Sequence, residues 1–157
     1  MAYKKDTQVI VTVDTSNINE TNKNQMVIFS DNRGVPPSNP GHPHDFISTV
    51  NRGMKIKWIG RVKDPEKDCE DIKGFYRDNS VEVKEIAIKD KFGCSKILRK
   101  NYYYDRNNSG EVIGFVRKAD KCPEEIPPET ITEGYNITIR VNGNAGYTID
   151  PQMEMVM

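Results

Sequence analysis

Apolar β-branched residues recur at every second position from Gln8 to Val13, which puts Val9, Val11 and Val13 on one side. That is the period of a strand with one buried face. The same period marks Met54 to Ile59, where Met54, Ile56 and Trp58 share a face and Lys55 and Lys57 take the other. Lysines on the second face assign it to water, as in a half-buried antiparallel strand. Apolar runs at 25–30 (QMVIFS) and 46–50 (FISTV) predict two further strands. Over 81–88 (VEVKEIAI) the phase changes midway, with Val81 and Val83 on one side and Ile86 and Ile88 on the other. A β-bulge near Lys84-Glu85 reconciles the two halves.

Strands are also predicted at 100–104 (KNYYY) and 111–117 (EVIGFVR), and the turn-forming cluster DRNNSG between them predicts a hairpin. A second hairpin is predicted from 135–141 and 146–150, joined by NGNAG, because Asn and Gly tolerate positive φ. The alternation of Met153, Met155 and Met157 reads as a last strand. Such a stripe packs in a core or interface far more often than it binds copper through its thioethers. The only helical signal is one short turn within residues 64–73 (DPEKDCEDIK), where Pro precedes acidic residues. Eight to ten short strands at this spacing predict an all-β chain, folded as an antiparallel two-sheet β-sandwich. An immunoglobulin-like or cupredoxin-like Greek key is the expected topology. Residues 122–129 (CPEEIPPE) look like a linker, but too little chain follows for a second core. They are expected to cross between sheets, which leaves residues 1–157 as a single domain.

Composition narrows the functions on offer. At 157 residues, with 36% hydrophobic and 29% charged side chains, the chain is too apolar for a disordered one. Basic and acidic residues are equal at 23 each. Without a basic bias, nucleic acid is not an expected partner. Zero net charge also gives little protection against self-association. No apolar run approaches the roughly 18 residues of a membrane span. The N-terminal MAYKKDTQVIVTVD lacks the apolar core of a secretory signal, so a cytoplasmic protein is expected.

Candidate chemistry is sparse. Both histidines, His42 and His44, lie in NPGHPHDF, two residues apart and beside Asp45. Two imidazoles and a carboxylate are ligands for copper or zinc; prolines stiffening an exposed loop are the plainer explanation. Type-1 copper is excluded, because such sites need two His and a Cys with a weak axial ligand, and no histidine follows His44. The acidic residues Asp64, Glu66, Asp68, Glu70 and Asp71 fail the EF-hand pattern, with Cys69 where its Gly belongs and Phe75 where its Glu belongs. They read as a solvated loop. Cys69, Cys94 and Cys122 are odd in number and widely spaced, which suits reduced structural thiols better than a zinc site. Neither GxSxG nor a phosphate-cradling Gly motif occurs, and no base stands near a candidate nucleophile. No enzyme and no cofactor is expected. Consecutive Tyr102, Tyr103 and Tyr104 on a strand must point to both faces, which leaves at least one ring in water or at a sheet edge. Exposed tyrosines stack on sugars or on a protein partner.

The order of features is informative too. A strand ending in Val13-Asp14-Thr15 is followed by a long polar insertion and then by Gly53-Met54-Lys55-Ile56-Lys57-Trp58. The chain closes with Tyr135-Asn136-Ile137-Thr138-Ile139 and Tyr147-Thr148-Ile149-Asp150-Pro151. This order resembles the bacterial inclusion-body protein family typified by PixA and AidA. The resemblance implies a small, helix-poor intracellular protein with no general biochemical activity. Thr132-Glu133-Gly134-Tyr135 also resembles the entry to an immunoglobulin-like strand with a tyrosine corner. The expected function is a non-enzymatic protein acting by self-association, as a dimer that hides a sheet edge, or by partner binding. The alternatives are a glycan-binding module built on Tyr102, Tyr103 or Tyr104, and a metal site at His42 and His44.

Overall fold

The computed structural model describes residues 5–63, 80–89, 95–118, 131–143 and 145–156. The helical turn expected within 64–73, the crossover at 122–129 and all three cysteines lie outside the described residues. Ten strands form: β1 (Thr7–Val13), β2 (Val27–Asp31), β3 (Ile47–Asn51), β4 (Lys55–Val62), β5 (Val81–Ile88), β6 (Tyr102–Tyr104), β7 (Glu111–Phe115), β8 (Ile131–Val141), β9 (Ala145–Ile149) and β10 (Gln152–Val156). They make two sheets, one ordered β2-β1-β4-β7 and the other β3-β10-β8-β5-β6, with β9 also paired to β8. This is the expected two-sheet sandwich. A one-turn helix, α1 (Lys23–Met26), precedes β2 and takes the first residues of the apolar run at 25–30.

Both sheets are mixed. β1 runs parallel to β4, and β3 runs parallel to β10. Alternation reports which face is buried but is blind to the direction of the neighbour, so these pairs read as antiparallel in the sequence. The expected hairpin of β6 and β7 does not form: β6 pairs with β5 and β7 with β4, in different sheets. The DRNNSG turn is real but carries the chain across the sandwich. The second hairpin forms as read, with Asn142 at φ 54° and Gly143 at φ 75°. Past Asp150-Pro151 its second arm continues as β10 in the same register on β8, and the Pro151 carbonyl accepts the Tyr135 N–H.

The inward sets are those that the period of two selected. Val9, Val11, Val13, Ile56, Trp58 and Val112 face Ile137, Ile139, Met153 and Met155 across a dry interior. Trp58 of β4 and Tyr135 of β8 meet edge to face, with ring centroids 5.7 Å apart, and the indole N–H donates to the Tyr135 hydroxyl at 3.1 Å. Tyr135 therefore spends its hydroxyl on the opposite sheet, where a tyrosine corner would return it to backbone upstream. Full burial pushes that hydroxyl far above the usual phenol range, so it stays neutral. Two glycines show how tight the packing is, Gly114 under Trp58 of the neighbouring strand and Gly60 against β5 of the opposite sheet. A Cβ on Gly114 would sit 3.0 Å from the Trp58 ring, and one on Gly60 would sit 2.3 Å from the Val81 carbonyl oxygen.

The bulge falls where the phase change put it, with register lost between Val83 and Glu85. It has a purpose. Lys84, the extra residue, accepts the Asp105 N–H on its carbonyl, and its Nζ reaches the Asp105 carboxylate at 3.0 Å and Asn108 Oδ1 at 3.0 Å. Asp105 also accepts the N–H groups of Ser109 (2.9 Å) and Gly110 (2.7 Å), closing the 105–110 loop on itself. Burial alone would raise the Asp105 carboxyl; the two N–H donors and the Lys84 ammonium outweigh it and hold it below the ordinary carboxylate value.

Two predictions follow from this packing. Tyr135→Phe strands the Trp58 indole N–H in the core and should cost about 1–3 kcal/mol. Urea unfolding followed by Trp58 fluorescence reads both the loss and its location. A carboxyl held low contributes stability that is present above its unfolded pKa and lost as pH falls through the folded one. Asp105→Asn, which leaves Lys84 without its counter-charge, should therefore cost about 3 kcal/mol near neutral pH. The deficit should shrink in acid, as pH falls through the lowered folded pKa and the wild-type carboxylate is itself protonated. Urea midpoints of both proteins near neutral pH and in acid check this.

Candidate functional site

The two long sides of the sandwich are closed differently. Along one, β3 lies over β1, Phe29 stacks on Phe46 with centroids 5.7 Å apart, and Thr7 Oγ1 donates to the Thr49 carbonyl at 2.6 Å. Along the other, the three-residue β6 lies beside β7, and Tyr103 is the main closure. Its ring is buried, and its hydroxyl accepts the Lys100 N–H at 3.1 Å and lies 3.4 Å from the Phe115 carbonyl. Alternation then forces Tyr102 and Tyr104 outward. They are 47% and 50% exposed, and their rings stack with centroids 6.1 Å apart. The triplet thus divides as a strand requires, one ring in and two out. Partial burial and a hydrogen bond to the Glu85 carboxylate push the Tyr102 hydroxyl up, so it too is neutral at physiological pH.

On β7 the same alternation turns Val112 and Gly114 inward and leaves Ile113 and Phe115 in solvent. Between the two edges runs a groove of about 590 Å³, lined by Tyr104, Ile113 and Phe115 and by Lys55, Lys100 and Arg106. Cations lie over its rings: Arg106 is 5.4 Å from the Tyr104 centroid, and Arg99 and Lys55 are 5.4 and 6.0 Å from that of Phe115. These are cation–π distances. Glu111, the groove's one acid, is matched by Lys57 at 3.1 Å. Lys55, Arg99, Lys100 and Arg106 make no ion pair among the described residues. Arg106 is positioned by the loop that Asp105 closes. The groove therefore offers apolar ring edges and, among the described residues, an excess of positive charge, an arrangement suited to an anionic ligand.

Of the residues that sequence reasoning singled out, Tyr104 and Tyr103 line this groove, and Tyr102 flanks it. Lys55, Arg99, Lys100, Arg106, Ile113 and Phe115 were not singled out as site residues. A signal for two of them was there: once Val112 and Val116 are inward, Ile113 and Phe115 occupy a face where polar residues are expected. His42 and His44 lie elsewhere, in the loop before β3, with rings 6.0 Å apart and exposed. Ser95 is the described hydroxyl most involved with ionisable neighbours. It donates to Glu133, accepts the N–H groups of Ile97 and Leu98, and its carbonyl accepts Arg117 Nε at 2.7 Å. Apart from the bond between Ser95 and Glu133, these contacts hold backbone groups of the 95–98 turn.

No protein-family model matches the chain, and no curated protein matches its sequence. In structure, the chain is similar to the crystal structure of inclusion body protein PixA from Burkholderia cenocepacia J2315. The match covers 99% of this chain and 98% of that one, with a TM-score of 0.51 and 8% sequence identity. At such identity the likeness is one of fold. The resemblance read from the two ends and the Trp58 strand holds at that level: this chain and an inclusion body protein share one architecture.

Proposed function

We propose that the protein works without catalysis, through its surface, and that the β6–β7 groove is where it associates with further copies of itself. The observation that carries this is a row of cations with no ion pair among the described residues: Lys55, Arg99 and Arg106 laid over exposed aromatic rings at two neighbouring sheet edges, with Lys100 beside them. The chain as a whole has zero net charge, so a cationic face implies an acidic excess elsewhere on the same molecule. Two such grooves repel each other, whereas a groove and an acidic face attract. The contact is then heterologous, and heterologous contacts that do not close into rings propagate. The fold shared with a protein described as an inclusion body protein supports the same reading. The cytosolic location expected from the sequence belongs to the same proposal.

Glycan binding through Tyr102 and Tyr104 is the weaker reading. A sugar needs a bare aromatic face, and here Tyr102 and Tyr104 cover one another while Arg106 lies over Tyr104.

Light scattering over a dilution series should show mass rising with concentration at low salt. It should fall toward the monomer at about 1 M salt, where the screening length drops to about 3 Å. Lys100→Glu combined with Arg106→Glu should weaken association at least tenfold without lowering the melting temperature. A strict monomer at high concentration and low salt rejects the proposal. Association that ignores both salt and the charge reversals moves it away from this groove.

A further inference from the structure

The loop ahead of β3 is built as a ligand set. We infer that it binds one divalent transition-metal ion of the zinc and copper class, through an imidazole nitrogen each from His42 and His44 and a carboxylate oxygen of Asp45. This site is separate from the β6–β7 groove and does not depend on the reading given to it.

Three observations carry the inference. First, the donor atoms of His42, His44 and Asp45 all lie within 4.8 Å of one another, and all three side chains face solvent. Metal–nitrogen and metal–oxygen bonds of about 2.0–2.1 Å in a tetrahedron place two ligand atoms about 3.3 Å apart. His44 Nε2 and Asp45 Oδ1 are 3.4 Å apart. A direct charge-assisted hydrogen bond between them would be nearer 2.7–2.9 Å. The pair therefore stands at the separation of two ligands on one ion, and a modest swing of the exposed His42 ring completes the set.

Second, the backbone beneath the ligands is fixed. Gly41 takes φ 86°, which turns the chain, and its N–H bonds to the Asn24 carbonyl at 2.9 Å. A 3₁₀ turn over Pro43–Asp45 follows, with Asp45 N–H on the His42 carbonyl at 3.2 Å and Phe46 N–H on that of Pro43 at 3.1 Å. Pro43 and Phe46 are buried, and Gln152 Nε2 donates to the His44 carbonyl at 2.6 Å. β10 thus clamps the turn from the far end of the chain. Ligands on a preformed turn lose less conformational entropy on binding than ligands on a free loop.

Third, the donor chemistry selects the ion. Imidazole with carboxylate suits zinc, copper or nickel; calcium and magnesium prefer all-oxygen sets. Three protein ligands leave a fourth position for water. No hydrogen bond orients the far nitrogen of either ring among the described residues, so affinity should be micromolar, below that of a buried site with such support.

The test is calorimetric titration of the tag-free full chain with zinc chloride and, separately, copper(II) chloride, with imidazole resonances followed by NMR. One equivalent should bind, with His42 and His44 resonances shifting together. His42→Ala and His44→Ala should each weaken binding at least tenfold, and Asp45→Asn by less. All three side chains are exposed, so the variants should keep the wild-type melting temperature without metal, and only the wild type should gain stability when metal is added. Absence of binding by either ion overturns the proposal. So does undiminished binding by the double variant His42→Ala/His44→Ala, which would assign the metal to cysteine.

Discussion

The bond from the Trp58 indole to the Tyr135 hydroxyl sets how the two sheets lie on each other. Apolar faces adhere without choosing a register, since burial is non-directional. A hydrogen bond in a dry interior is directional and is costly to break. Here it joins an inner strand of one sheet, β4, to the long strand β8 that holds the other together. The surrounding packing is arranged to admit it. Gly114 leaves the room that the indole occupies, and Ile137, Ile139 and Val112 seal the pair from water. Once β4 and β8 are fixed face to face, the order of strands outward from each decides which edges meet at the sides.

The unlike sides follow from that order. β3 arrives over β1 with side chains that stack and hydrogen-bond across the gap, and the seam is closed. β6 has only three residues and reaches β7 through a single tyrosine. A short, twisted edge dressed in charge is a familiar guard against unwanted strand pairing. Along this edge the guard is mainly cationic, with Glu111 paired to Lys57. Lysines and arginines keep the strand from adding a neutral neighbour while leaving the rings beneath them available to an acidic one. The bulge at Lys84 supports the arrangement from behind, because it is Lys84 that closes the loop carrying Arg106.

Much of the fold was legible because burial writes itself into a period of two. β1 could be read with its inward valines, and β4 and the methionine strand with Ile56, Trp58, Met153 and Met155 inward, although Met54, read with them, is half-buried and precedes β4. The bulge was legible as a phase change, since one extra residue must move the inward set to the other parity. Pair direction was not legible: the parallel partners of β1 and β3 lie far along the chain, and no local property of 7–13 or 47–51 names them. The DRNNSG segment misled because turn chemistry shows that a chain reverses, and says nothing of which sheet it rejoins. The groove was half legible. Three tyrosines in a row announced an exposed ring, but Arg99, Lys100 and Arg106 look like any solvated charges until two edges converge. The histidines were visible as a pair; the turn that brings Asp45 to them, and the glutamine that pins it, come from opposite ends of the sequence.

The pairing of β3 has a temporal consequence. Ile47 finds its sheet partner in Gln152, and among the described strands β3 pairs in its sheet only with β10. On the ribosome, β3 is made roughly a hundred residues before β10, and at about 5–20 residues per second it waits several seconds or more. During that interval the backbone of β3, with Ile47 and Val50 set among polar residues, lacks its sheet partner, and closing so long a loop is slow. Among the described strands, β3 is thus made early and paired last, and the side of the sandwich that it closes is the last to seal.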